Sequence, residues 1–173
     1  MGTMEHSTTE ALTLDTLPDG CRIWIFAANR PFAADESAGL DALMTKIMGK
    51  WDMKQPGMRG CFTFVEDRFL VVGAAENHMQ LDGCSVDAMM GFFRQVEAES
   101  GLQLVDRMVV HYRDAAGAVQ STTRAAFAGL AKSGAVDAET PVFDTTVCRI
   151  EAWRDGAFET PMKNTWLAEA FLG

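Results

Sequence analysis

Apolar and polar residues alternate in ways that assign most of the chain to short elements. From Cys21 to Ala28, Ile23, Ile25 and Ala27 occupy one face of a strand and Trp24, Phe26 and Ala28 the other. Both faces are apolar, as in a central strand covered on two sides. Asn29-Arg30-Pro31 breaks it, and Leu40, Leu43, Met44, Ile47 and Met48 then repeat at helical spacing over Asp35 to Met48. Gly60 to Val65 and Arg68 to Ala74 read as two strands joined by a tight turn at Glu66-Asp67, without the Asn-Gly signature of such turns. A polar loop from Glu76 to Asp82 follows. A second helix starts near Cys84 and ends at Gly101, with Val86, Met89, Met90, Phe93 and Val96 as its buried stripe.

Leu104 to Tyr112 reads as a fourth strand. Beyond it come a turn at Asp114 to Gly117, a short strand near Val119 to Ser121 and a short helix from Arg124 to Ser133 closed by Gly134. A strand-like run covers Thr140 to Ile150, and a last helical turn or two covers Trp166 to Leu172. The order of the first 113 residues is β-α-β-β-α-β, which predicts an α+β fold with a ferredoxin-like antiparallel sheet. In that reading the first and third strands run side by side and parallel in mid-sheet, with both helices on one face. The other face carries Trp24, Phe26, Phe62 and Phe64 and needs a cover, because a bare apolar face of that size is a large patch. The expected division is a flexible arm over 1–17 and a single domain over 18–173. Within that domain, 18–113 is the core and 114–173 a C-terminal extension of short helices and strands packed on it. A second copy of the chain, as a homodimer, is the alternative cover.

Composition narrows the function classes. Hydrophobic residues make up 48% of the 173, so a packed core is affordable and disorder is not the default. A net charge of -9, with 15 scattered Lys and Arg, argues against a nucleic-acid partner. No apolar run reaches the length of a membrane helix, so no membrane insertion is expected. The four cysteines lie far apart, without C-x-x-C or zinc spacing. The resulting expectation is a reduced, cytoplasmic protein with neither metal nor cofactor.

Candidate chemistry gathers where the ends of the first and third strands meet the starts of both helices. With the start of the fourth strand, that edge collects Asn29, Arg30, Glu76, Asn77, His78, Gln80, Asp82, Cys84, Ser85, Asp106 and Arg107. Helix N-termini and arginines favour an anion, so Asn29, Arg30, Asn77, Ser85 and Arg107 are the expected ligand-binding residues for a small anionic ligand. Self-capping, by Asp35 on the first helix and by Asp82 or Ser85 on the second, is the competing use of the same N–H groups. Cys84 at a helix start with His78 nearby also fits a thiol-dependent transferase or hydrolase. Asp82 and Asp87 work against that, since negative charge raises a thiol pKa. His111, between Val110 and Tyr112, reads as a structural strand histidine. Neither G-x-x-x-x-G-K-[ST] nor G-x-G-x-x-G occurs, which argues against a P-loop ATPase.

Several runs resemble a known family: Leu17 to Ile25 with Ala28-Asn29-Arg30, then Asp67 to Val71 leading to Gly83-Cys84-Ser85-Val86-Asp87, then Asp106-Arg107-Met108, and the closing Pro161 to Trp166. They are similar to small bacterial proteins common in the Bacteroidetes and related groups, which often carry the label "ABC transporter ATPase". The resemblance spans nearly the whole chain from Leu17. It implies no assigned reaction, cofactor or partner, but it places Asn29-Arg30, the 83–87 run and Asp106-Arg107 among the family's motifs. The functional expectation is therefore a binding or interaction module with a small-anion site at the Arg30/Cys84/Arg107 edge. A thiol enzyme and a ligand-free structural homodimer are the alternatives.

Overall fold

A computed structural model of the chain describes residues 12–54, 59–75, 90–91, 93–95, 97–99, 101–104 and 108–173. Two antiparallel sheets and several helices make up an α+β fold. In the first sheet, β1 (Arg22–Ala27) and β2 (Arg59–Val65) flank β3 (Phe69–Ala75). The long helix α1 (Ala34–Lys54) connects β1 to β2 and runs past the predicted stop at Met48. Because β2 turns directly into β3, those two are antiparallel, with Val65 opposite Phe69. β1 is also antiparallel to β3, with Ala27 opposite Phe69 and Arg22 opposite Ala74. The expected parallel pairing of the first and third strands is thus corrected: β1 and β2 are the parallel pair, and β3 lies between them.

The fourth strand departs from expectation as well. β4 (Val109–Arg113) belongs to the second sheet, whose order is β5-β4-β6-β7 with β5 (Val119–Thr123), β6 (Pro141–Phe143) and β7 (Glu159–Pro161). A ferredoxin-like sheet would set its fourth strand against the outer edge of β1. That edge instead carries an isolated bridge from Arg22 to Arg149, with Ile23 N donating to Cys148 O and Ile150 N to Cys21 O, each at 3.1 Å. The run from Thr140 to Ile150 therefore splits. Its start is β6, and its end bridges β1 and enters the short helix α3 (Ile150–Arg154).

Side-chain alternation decides what covers each face of the first sheet. Phe26, Leu70, Val72 and Ala74, with Trp24, Phe62 and Phe64 beside them, pack against Leu40 and Met44 of α1 and against Phe93, Leu102 and Leu104. The face bearing Trp24, Phe26, Phe62 and Phe64 is thus the helix-covered one, not the open one. On the opposite face Ile23, Cys61 and Val71 pack with Leu14 and Leu17, and with Val147, Ile150 and Trp153 from the C-terminal part. Residues 12–17, read from the sequence as the end of a loose arm, contribute two buried leucines to this layer. Gly73 admits them: a Cβ there would overlap Leu17 Cδ1 and stand 3.3 Å from Cys61 Sγ. Arg154 holds the segment from the other side, donating to the carbonyls of Leu14, Asp15 and Leu17 and to Asp19 Oδ1.

The second sheet has its own apolar layer. Helix α2 (Arg124–Ser133) starts at Thr123, whose hydroxyl accepts from Ala126 N, and closes at Gly134 in the left-handed region. It buries Phe127 against Val110, Val142, Met162 and Leu167, the last on α4 (Trp166–Phe171). The two sheets meet at Phe69, whose ring lies 5.0 Å from Phe143, 5.1 Å from Phe158 and 5.2 Å from His111.

Candidate functional site

The junction of the two sheets holds the most concentrated buried polar chemistry among the described residues. It begins with the β2–β3 turn. Glu66 and Asp67 both have positive φ, 53° and 52°, in the left-handed region that side-chain-bearing residues seldom adopt. Such a turn matches the twist of a two-stranded ribbon, which is why it serves a hairpin this tight. Neighbours hold it: Phe32 N donates to Asp67 O at 2.7 Å, and Ala28 N to Arg68 O at 2.8 Å. Arg68 is thereby delivered at the foot of β3, one position before Phe69, and enters the second sheet.

There its Nη1 donates to Ser121 Oγ at 2.6 Å. Ser121 faces His111 directly across the β4–β5 ladder, and its Oγ lies 2.7 Å from His111 Nδ1. A guanidinium only donates, so Ser121 accepts from Arg68; its hydroxyl has one proton and a second lone pair left, and bonds His111 Nδ1 as donor or acceptor according to the ring tautomer. Arg68 is 8% exposed and His111 3%. The pairing of Ser121 with His111 has the distance of a nucleophile and its base. Yet the burial of His111 and the donation from Arg68 leave no room for a substrate carbon at Oγ.

Arg68 differs from its neighbours in how its charge is met. Burial pushes its guanidinium pKa down from the usual value, with no carboxylate opposing the shift. Its Nε is buried without a hydrogen-bond partner. Arg113, on the same face of β4 as His111, is the contrast. Its Nε and Nη2 take both oxygens of Glu159 at 2.6 and 2.9 Å, Nη2 also reaches Glu66 at 2.9 Å, and Nη1 donates to Gly117 O. Those hydrogen bonds to Glu159 and Glu66 raise its pKa. Glu66 thus ties the strained turn to the second sheet one residue after its own strand ends.

Of the residues expected at the ligand edge, Glu76, Asn77, His78, Gln80, Asp82, Cys84 and Ser85, and also Asp106 and Arg107, lie outside the described residues. Asn29 and Arg30 are described. Asn29 Oδ1 accepts from Gln103 N at 3.3 Å and so fastens the segment after the 90–99 helical stretch to the end of β1. Arg30 is exposed and grips Glu36 with both ends of its fork, Nη1 to Oε2 at 2.9 Å and Nη2 to Oε1 at 2.8 Å. Glu36 also accepts from Ala33 N at 2.8 Å. This is the reach-back of a third-position glutamate to the residue before a helix, so Glu36 rather than Asp35 caps α1. The Arg30 charge is matched inside the chain.

Arg68 was missed in the sequence because an arginine beside a turn reads as an ordinary surface residue. Its alternation would have marked it: it opens a strand whose next six residues are all buried or nearly so. Elsewhere, a cleft of about 300 Å³ lies between Leu12–Asp15, Phe62, Thr63 and Trp153, with Asp15 its one ionisable group. Cys61 is buried, which pushes its thiol up to about 11, and Cys148 is exposed. Among the described residues no group of three or more His, Cys, Asp or Glu is placed to hold a metal ion. No described helix is long and apolar enough to cross a membrane. No family model, no curated protein and no solved structure matches this chain.

Proposed function

We propose that the chain is a binding module for a small anion, received at the sheet junction by Arg68. One observation carries the reading: an arginine residue 8% exposed whose guanidinium is bonded through Nη1 to a neutral hydroxyl while its buried Nε has no partner. A buried charge normally comes with an opposite charge, because desolvation without one costs several kcal/mol. Arg113 and Arg30 follow that rule with Glu159 and Glu36. The anion-binding expectation formed at the Arg30 edge is thus better supported at Arg68, since Arg30 already has its carboxylate. No hydrolysis of a nucleotide is part of this reading, given the missing phosphate loop.

The test is thermal unfolding at neutral pH and constant ionic strength with increasing sodium acetate or sodium phosphate, run on the native chain and on Arg68→Gln. A ligand bound only by the folded state raises Tm saturably. The native chain is expected to gain stability with at least one of the two anions and Arg68→Gln with neither. A native chain indifferent to both anions would overturn the reading.

A further inference from the structure

We infer that the cleft of about 300 Å³ between the 12–15 segment, β2 and α3 is a binding site for a small organic ammonium, a compact apolar body carrying one positive charge. Its walls share no residue with the Arg68–Ser121–His111 cluster, so it stands apart from the anion site proposed there. The segment that forms one wall is fixed from behind. Leu14 and Leu17 are drawn into the layer beneath the first sheet, and Arg154 holds the carbonyls of Leu14, Asp15 and Leu17. Leu12, Leu14 and Trp153 give the cleft apolar lining. Small-molecule sites commonly span about 300–1,000 Å³, so a cleft of this size takes a compact ligand.

The polar groups of the lining select the charge. Arg154, the cation beside the segment, is met by Asp19 Oδ1 at 2.9 Å and by the three carbonyls. The Thr13 hydroxyl is shared with Thr16 Oγ1 at 3.2 Å. The Asp15 carboxylate and the Thr63 hydroxyl remain, and among the described residues no group bonds either one. Both accept hydrogen bonds, and an ammonium has three donors and no acceptor. Trp153 adds the attraction of an indole ring for a cation, and Phe158, stacked on it at 4.8 Å, holds that ring in place. Asp15 is exposed, so its ion pair is weak by itself, and the apolar walls supply the rest of the affinity. An anion would meet the same carboxylate with a chain charge of -9 behind it.

The probes are benzylammonium chloride, benzyl alcohol and sodium benzoate, which share a ring and differ in charge. They are titrated at neutral pH and fixed ionic strength into the native chain and Asp15→Asn. Nitrogen-15 spectra follow the amides of Thr13, Leu14, Asp15 and Thr63 and the indole Nε1–H of Trp153. Benzylammonium is expected to move these signals saturably and to bind about threefold to fivefold tighter than benzyl alcohol, with benzoate weaker than both. Asp15→Asn is expected to bring benzylammonium down to the affinity of benzyl alcohol. Equal binding of the alcohol and the ammonium by the native chain would overturn the cationic assignment. No saturable shift at these positions with any probe would overturn the site itself. Undiminished ammonium binding by Asp15→Asn would overturn the part given to Asp15. If that variant fails to fold, the native order of the three probes decides alone. Benzoate shifts confined to Arg68 and Ser121 would bear on the anion reading and not on the cleft.

Discussion

Glu36 shows how much one side chain decides at the start of α1. It takes two bonds from Arg30 and one from Ala33 N, and the Arg30 bonds are the larger reason its carboxyl is lowered from 4.5 to about 2. A carboxyl whose folded value lies below its unfolded value stabilises the fold above the unfolded value. That contribution fades as pH falls from about 4.5 toward 2, when the folded form must also take up the proton. Glu36→Gln removes the titration and keeps the shape. The gap in Tm between the native chain and Glu36→Gln is therefore expected to narrow by more than half between about pH 5 and about pH 2.5. A constant gap over that range, in paired thermal melts, would contradict this account. The sequence supplied the helix start and its acidic first turn, but not which acid does the work: Asp35 and Glu36 look equivalent until Arg30 is placed. Arg68 was less legible still, because its burial depends on Ser121, 53 positions further on. No local pattern carries a contact that distant.

Among the elements, the β2–β3 hairpin carries the clearest stored cost. Its turn was legible from length, since Gly60 to Val65 and Arg68 to Ala74 leave two residues between them. Its conformation was not, because Glu and Asp are not the residues such a turn selects. The left-handed region costs a residue with a side chain about 1–2 kcal/mol, while glycine there pays about 0.5–1 kcal/mol in chain entropy. Glu66 offsets its share by binding Arg113. Asp67 contributes a backbone carbonyl to Phe32, which any residue supplies. Asp67→Gly is thus expected to stabilise the chain by about 0.5–1 kcal/mol, read as a higher urea midpoint at unchanged slope. A lower midpoint would mean that the Asp67 side chain does something the backbone geometry does not record. Short elements such as β6 and β7 were illegible for a different reason. Three residues cannot display a period, and they are strands only because β6 has β4 to pair with and β7 has β6.

At the scale of the molecule the question is whether the two sheets stand or fall together. Local patterning located β1, α1, β2 and β3, and it found α2 and α4 to within a residue or two. It then joined 109–113 to the wrong sheet, since the alternation in Val109–Arg113 is equally compatible with either partner. What selects the partner is the hairpin to β5 and the face it produces, with His111, Arg113 and Val119 turned toward Phe69 and Val110 and Tyr112 toward α2. Phe69 belongs to the first sheet, yet it touches Phe143 and Phe158 of the C-terminal part and His111 of β4. Arg68 and Glu66 cross the same junction beside it. A fully buried phenylalanine cut back to alanine costs about 3–5 kcal/mol when its surroundings cannot collapse. These cannot, because their rings are held by two different sheets. Phe69→Ala is therefore expected to lose about 3–5 kcal/mol in urea unfolding. Tryptophan fluorescence and far-ultraviolet dichroism should follow one shared transition in the native chain. Two separated native transitions, or a loss below about 1 kcal/mol, would mean that each sheet carries its own stability. The proposed anion site would then lie across a loose contact, and the fixed distance from Arg68 to Ser121 on which that proposal depends would have no support.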